Sequence, residues 1–77
     1  MEGKTETIRV IETLTVQEAC EELRALGMSI SLDKLRDGIE QGVFPFGICI
    51  QMKERKFDIF RVPFDKWIAE RVSYVGR

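Results

Sequence analysis

The sequence predicts a small α+β domain: two short helices, a β-hairpin and a third helix, with an optional strand in front. Three observations predict it. A capped run with helical apolar spacing occupies Thr15 to Leu26. Two alternating runs flank the polar stretch Lys53-Glu54-Arg55-Lys56. A further apolar stripe begins at Pro63. The chain has 77 residues, which sets a single domain over 1–77 with a core that stabilises by only about 3–5 kcal/mol.

The N-terminal stretch turns apolar at Ile8, Val10 and Ile11. Ile8 and Val10 alternate with Thr7 and Arg9, which permits a short edge strand, and residues 1–6 are expected to be frayed. In the first helix, Thr15 stands as N-cap and Glu18 sits at capping-box spacing. Leu14 occupies the staple position. Val16, Ala19, Cys20, Leu23 and Leu26 fall on one face, and Gln17, Glu18, Glu21 and Ala25 on the other. Gly27 is the expected left-handed stop.

After the turn Met28-Ser29-Ile30, Ser31 caps a second helix whose buried stripe is Leu32, Leu35 and Ile39, ending at Gly42. Gly38 lies inside that helix at a cost of up to about 1 kcal/mol against alanine, so either another backbone approaches it or the last turn is weak. Pro45 and Gly47 break the helical pattern. Ile48, Ile50 and Met52 then alternate with Cys49 and Gln51, and Phe57, Ile59 and Arg61 alternate with Asp58 and Phe60, which is hairpin patterning. Pro63 suits the first turn of a third helix. Phe64, Trp67, Ile68, Arg71 and Val75 share one face of it, with Val72 beside them and Trp67 as core anchor. Helix, tight turn, helix and two-stranded ribbon make the layout of a small winged helix-turn-helix.

Composition narrows the function classes. Hydrophobic residues at 44% and charged residues at 32% fit a soluble globular domain rather than disorder. No apolar run approaches membrane length and no basic-then-apolar leader pattern opens the chain, so a cytoplasmic protein with no membrane partner is expected. Cys20 and Cys49, without any histidine, cannot close a tetrahedral zinc site from one chain; both read as small buried hydrophobes, with a disulfide as the alternative. There is no glycine-rich phosphate cradle and no placeable nucleophile–base pair. The i,i+4 acids Asp33 and Asp37 read as solvated, so neither an enzyme nor a cofactor or metal site is expected. The formal net charge of −1 hides an asymmetry: residues 1–45 hold five basic and nine acidic side chains, and residues 46–77 hold seven and four.

The run from Leu14 to Pro45 resembles the helix-turn-helix of excisionase-like and MerR-type DNA-binding proteins. The likeness is carried by Leu14-Thr15-Val16-Gln17-Glu18-Ala19, by Ile30-Ser31 and Leu35-Arg36, and by Gly42 and Pro45. The run Phe57 to Trp67 is similar to the strand-then-helix ending of small prophage proteins of this sort. The resemblance covers about half the chain and implies a winged helix-turn-helix that binds DNA as an excision factor or transcription regulator of a mobile element. Two departures stand out: the turn after Leu26-Gly27 runs two residues longer than the family's, and Asp37-Gly38 stands where the family often has a bulky residue.

Ser29, Ser31, Lys34, Arg36, Lys53, Arg55, Lys56 and Arg61 are the candidate DNA-binding residues. Ser29 and Ser31 stand at the second helix N-terminus, where free N–H groups can grip a phosphate or Ser31 can merely cap its own helix. The exposed face of that helix holds Asp33, Lys34, Asp37, Glu40 and Gln41. Its three acids oppose polyphosphate unless a carboxylate reads a cytosine amino group, and Lys34 and Arg36 can equally pair with them. Lys53, Arg55 and Lys56 form a basic hairpin tip around Glu54, with Arg61 further along. Turns are also charged for solubility alone. Lys66 and Arg71 either extend the patch or cover the core with their stems.

Double-stranded DNA is the expected partner, bound by a dimer or cooperative array because so small a reader makes few phosphate contacts. Glutamates at Lys53, Arg55 and Lys56 are expected to abolish binding without unfolding the domain. The alternative is a protein–protein interaction module on the same fold that does not bind DNA, with Phe44, Phe46 and Phe60 weighed as contact residues against core use.

Overall fold

The computed structural model describes residues 9–73. Within them the order is β1 (Thr13–Leu14), α1 (Val16–Ala25), α2 (Leu32–Glu40), β2 (Gly47–Gln51), β3 (Arg55–Phe60) and α3 (Arg61–Ala69). The strands form one antiparallel sheet in the order β1-β3-β2, with Gly47 opposite Ile59, Gln51 opposite Arg55 and Leu14 opposite Ile59. This is a small α+β fold of three helices and a three-stranded sheet.

Local chemistry sets the helix ends. The Glu18 N–H donates to Thr15 Oγ1 at 3.0 Å and the Thr15 N–H donates to Glu18 Oε1 at 2.9 Å, a complete capping box. At the other end of α1, Gly27 has φ 95°; its N–H reaches the Arg24 carbonyl at 2.9 Å, and the Met28 N–H reaches the Leu23 carbonyl at 3.0 Å. That bond pair is a Schellman stop. The same device closes α2: Gly42 has φ 78°, its N–H bonds the Ile39 carbonyl at 3.1 Å, and the Val43 N–H bonds the Gly38 carbonyl at 3.0 Å. Ser31 accepts the Lys34 N–H at 3.1 Å and caps the start of α2.

The core is one cluster in which Ala19, Cys20 and Leu23 of α1 meet Leu35 and Ile39 of α2, Ile59 of β3 and Phe64 of α3, with Leu14, Ile30 and Phe46. Phe46 is its aromatic centre. The ring lies 5.4 Å from a stacked Phe44, and 5.0 and 5.2 Å from Phe64 and Trp67, which meet it edge-on. Gly38 is explained here: a Cβ at that position would overlap the Phe44 ring. The close approach is by a side chain, not by a second backbone.

Several expectations are corrected. Val10 and Ile11 are exposed and outside any strand, while Ile8 and residues 1–6 lie outside the described residues. The strand that joins the hairpin is Thr13–Leu14, held where the Arg61 N–H bonds the Glu12 carbonyl at 2.8 Å. Leu26, expected in the buried stripe of α1, is 56% exposed, because it is the C-cap residue and has left the helical path. Arg71 lies beyond the end of α3, and Val75 lies outside the described residues. The hairpin tip is Met52–Glu54, so Arg55 and Lys56 belong to β3 rather than to the turn. Cys49 is half-buried, unlike the buried Cys20, and both thiols are free. Among the described residues no helix is long and apolar enough to cross a membrane.

Candidate nucleic-acid interface

The hairpin register decides where each candidate cation points. Arg55, Phe57 and Ile59 share one face of β3, packed toward the helices; Lys56 and Asp58 share the other. Arg55 therefore turns inward beside α2. One guanidinium nitrogen donates to Asp37 Oδ1 at 3.2 Å and also to Glu40 Oε1, and the guanidinium lies 5.3 Å from the Phe57 ring centre. The two carboxylates raise its pKa above the ordinary arginine value, Glu40 more than Asp37. A third acid of the same helix, Asp33, accepts from Arg36 at 3.3 Å. All three acids on the exposed face of α2 thus carry a cationic partner.

The inter-helix turn is tied from both sides. Arg24 Nε donates to the Ile30 carbonyl at 2.8 Å, and Lys34 Nζ donates to the Ser29 carbonyl at 3.1 Å. These bonds close the turn between α1 and α2. Ser31 spends an acceptor lone pair on its cap, and Ser29, Ser31 and Lys34 are all exposed near the α2 N-terminus, with donor capacity left over on both hydroxyls and the ammonium.

Arg61 stands apart from this surface. It reaches both carboxylate oxygens of Glu22, at 2.9 and 3.0 Å, and Asp65 at 3.1 Å. Its pKa is raised, chiefly by Glu22 and then by Asp65. A bidentate pair between α1 and the head of α3 is a structural clasp. Glu22, 39 positions away in sequence, is the partner that the sequence did not single out, and no local spacing signals it. Arg71 lies over the Trp67 ring at 4.2 Å and bonds the Trp67 carbonyl at 3.0 Å, covering the aromatic core. Lys53 and Lys56 are exposed, and no ion pair involving either is found among the described residues.

A cleft of about 660 Å³ opens between the start of α1, α2 and the hairpin, bringing Thr15, Arg36, Arg55 and Lys56 together with Glu54 and Asp58. The eight candidates therefore divide. Ser29, Ser31 and Lys34 gather at the α2 N-terminus. Arg36, Arg55 and Lys56 share the cleft, Lys53 projects at the tip, and Arg61 is withdrawn. Of the aromatics weighed as contact residues, Phe46 is wholly buried, while Phe44 and Phe60 are half-buried. Among the described residues no group of three or more Cys, Asp or Glu side chains is placed to hold a metal ion.

Compared with protein-family models, with curated proteins and with solved structures, the chain matches none.

Proposed function

We propose that this domain is a winged helix-turn-helix that binds double-stranded DNA without catalysis, as a regulator or excision-type factor, with α2 directed at the major groove and the hairpin tip against the adjoining backbone. One observation carries this reading: Arg55 joins β3 to Asp37 and Glu40, so hairpin and α2 are held side by side while the acids that would repel a duplex are neutralised. Lys34 at one end of that surface and Lys53 and Lys56 at the other supply the phosphate contacts. Arg61 takes no part, because its guanidinium is already held by Glu22 and Asp65.

Three phosphate contacts give a log–log salt slope of about −2.7, or about 40-fold weaker binding on a fourfold rise in salt. The test is titration of a random-sequence duplex at two salt concentrations with Lys53→Glu/Lys56→Glu beside the parent chain. The double variant should retain its circular dichroism and melting curve and lose most of its affinity. Salt-independent binding, or an unaffected double variant, defeats the reading. Arg55→Glu is left out of the variant, because a third carboxylate beside Asp37 and Glu40 would damage the fold as well as the surface; this revises the expectation that all three tip cations could be reversed without structural cost. The alternative, a protein-interaction module, is favoured by a different observation: the exposed row Ile48, Ile50 and Met52 on the outer hairpin face.

A further inference from the structure

We propose that two copies of this chain pair through the free edge of β2, antiparallel and centred on Cys49. The sheet order β1-β3-β2 leaves one side of β2 without a partner strand among the described residues. Two bonds fix which of its backbone groups face that side. The Phe60 N–H donates to the Phe46 carbonyl at 2.9 Å, and the Met52 N–H donates to the Glu54 carbonyl at 3.1 Å. Phe46 and Met52 therefore turn inward to β3. By the two-residue period of an antiparallel ladder, so do Ile48 and Ile50, and the N–H and C=O groups of Gly47, Cys49 and Gln51 turn outward.

The strand reads Gly47-Ile48-Cys49-Ile50-Gln51, which is nearly the same in both directions. A two-fold axis at Cys49 sets Cys49 against its own copy, Ile48 against Ile50 of the second copy, and Gly47 against Gln51 of the second copy. All three outward-facing residues then meet outward-facing partners, closing six ladder hydrogen bonds. A centre at Ile48 or Ile50 would set Cys49 against Gly47 or Gln51 of the second copy and close only four such bonds within β2. A centre at Gln51 would carry Lys53 alongside Cys49 of the second copy.

Natural edge strands are guarded by lysine, proline or a bulge; β2 has no charged residue and no proline. On the outer face, Ile48 and Ile50 are 44% and 48% exposed, and β3 places Asp58 beside Ile48 and Lys56 beside Ile50. Across the joined sheet each row reads Lys56, Ile50, then Ile48 and Asp58 of the second copy. Every row ends in opposite charges around an apolar middle, and the charges are thus complementary under the two-fold. Five residues of edge form a small contact beside the roughly 1,200–2,000 Å² of stable interfaces, so the pairing is reversible and concentration-dependent.

Sedimentation of the chain from micromolar to millimolar concentration, with amide hydrogen exchange over the same range, tests this. The expected result is a monomer that becomes a dimer, with the Cys49 and Gln51 amides gaining protection as it does. Gln51→Pro removes an outward N–H and leaves the ladder to β3 intact, so it should weaken the dimer about tenfold or more, a loss of about 1.4 kcal/mol. Ile50→Lys should do the same by placing a charge on the row, and it carries the test if Gln51→Pro loses its circular dichroism. A monomer throughout, dimers undisturbed by the folded variants, or Cys49 exchange that ignores concentration would each overturn the proposal.

Discussion

The two faces of the hairpin differ more than their sequences do. The inner face presents Gly47, Cys49, Phe57 and Ile59 to the helices; the outer face presents Ile48, Ile50, Lys56 and Asp58 to solvent. Each phase of the alternation in β2 contains apolar residues, and the larger ones point outward. Side-chain size did not choose the face. The helix–sheet contact is close there: a Cβ at Gly47 would lie 3.0 Å from the Asp58 carbonyl oxygen and 3.3 Å from Ile39 Cδ1, a tight fit that favours glycine in the phase lying against α2. Alternation establishes that a strand exists, whereas the covered side is set by how closely the helices approach it.

The largest effect is expected from one substitution on the covered side. Ile59 is wholly buried between α1, α2 and the sheet. Ile59→Thr exchanges the ethyl arm for a hydroxyl and buries it with no partner prepared for it. The combined cost is about 2–4 kcal/mol, a large part of the stability of so small a core. Urea unfolding of the variant should show a midpoint near zero denaturant or no cooperative transition; a midpoint close to that of the parent would mean that the inner face is misassigned.

A smaller effect is expected at Gly38, with a sign that opposes helix propensity. Alanine should gain about 1 kcal/mol over glycine in a helix interior. The added methyl must instead displace the Phe44 ring, which is stacked on Phe46 and edge-on to Trp67. Gly38→Ala should therefore destabilise by about 1–3 kcal/mol. In a Phe44→Ala background the same change should become neutral or stabilising, and this double-mutant cycle by thermal melting separates ring displacement from backbone effects. A stabilising Gly38→Ala in the parent would remove the explanation given for a glycine inside α2.

These examples show which parts of the structure were legible in the sequence. The Thr15–Glu18 box, the Ser31 cap and the stops at Gly27 and Gly42 were legible because each is decided within about five residues by hydrogen bonds the side chain or glycine itself permits. The placing of Pro63 in the first turn of α3 was legible for the same reason. Arg55 and Arg61 read as two members of one basic cluster, yet Arg55 finds its partners 15 and 18 residues away, and Arg61 adds to the neighbouring Asp65 a Glu22 that lies 39 residues away. Spacing along the chain carries no information about such pairs. The strand at Thr13–Leu14 was hidden differently: two residues are too few for a periodic pattern, and their pairing depends on where β3 ends. The candidate site was thus legible as an inventory of cations and not as a surface, since only the fold separates Lys34, Lys53 and Lys56 from the arginines that hold the helices and hairpin together.

The smallest effect is expected from repeating the first substitution on the outer face. Ile48 is bonded to β3 only through its backbone, and its side chain is already 44% in water, beside Asp58. Threonine keeps the β-branch that suits a pleated strand and gives up surface that is only partly covered. Ile48→Thr should change unfolding free energy by no more than about 0.5 kcal/mol, measured at a concentration where the chain is monomeric. At higher concentration the same change removes apolar area opposite Ile50 of the second copy, so its cost should grow with concentration while that of Ile59→Thr does not. A concentration-independent cost of several kcal/mol at Ile48 would mean that the outer row is covered within the monomer, and the distinction between the two faces would fail.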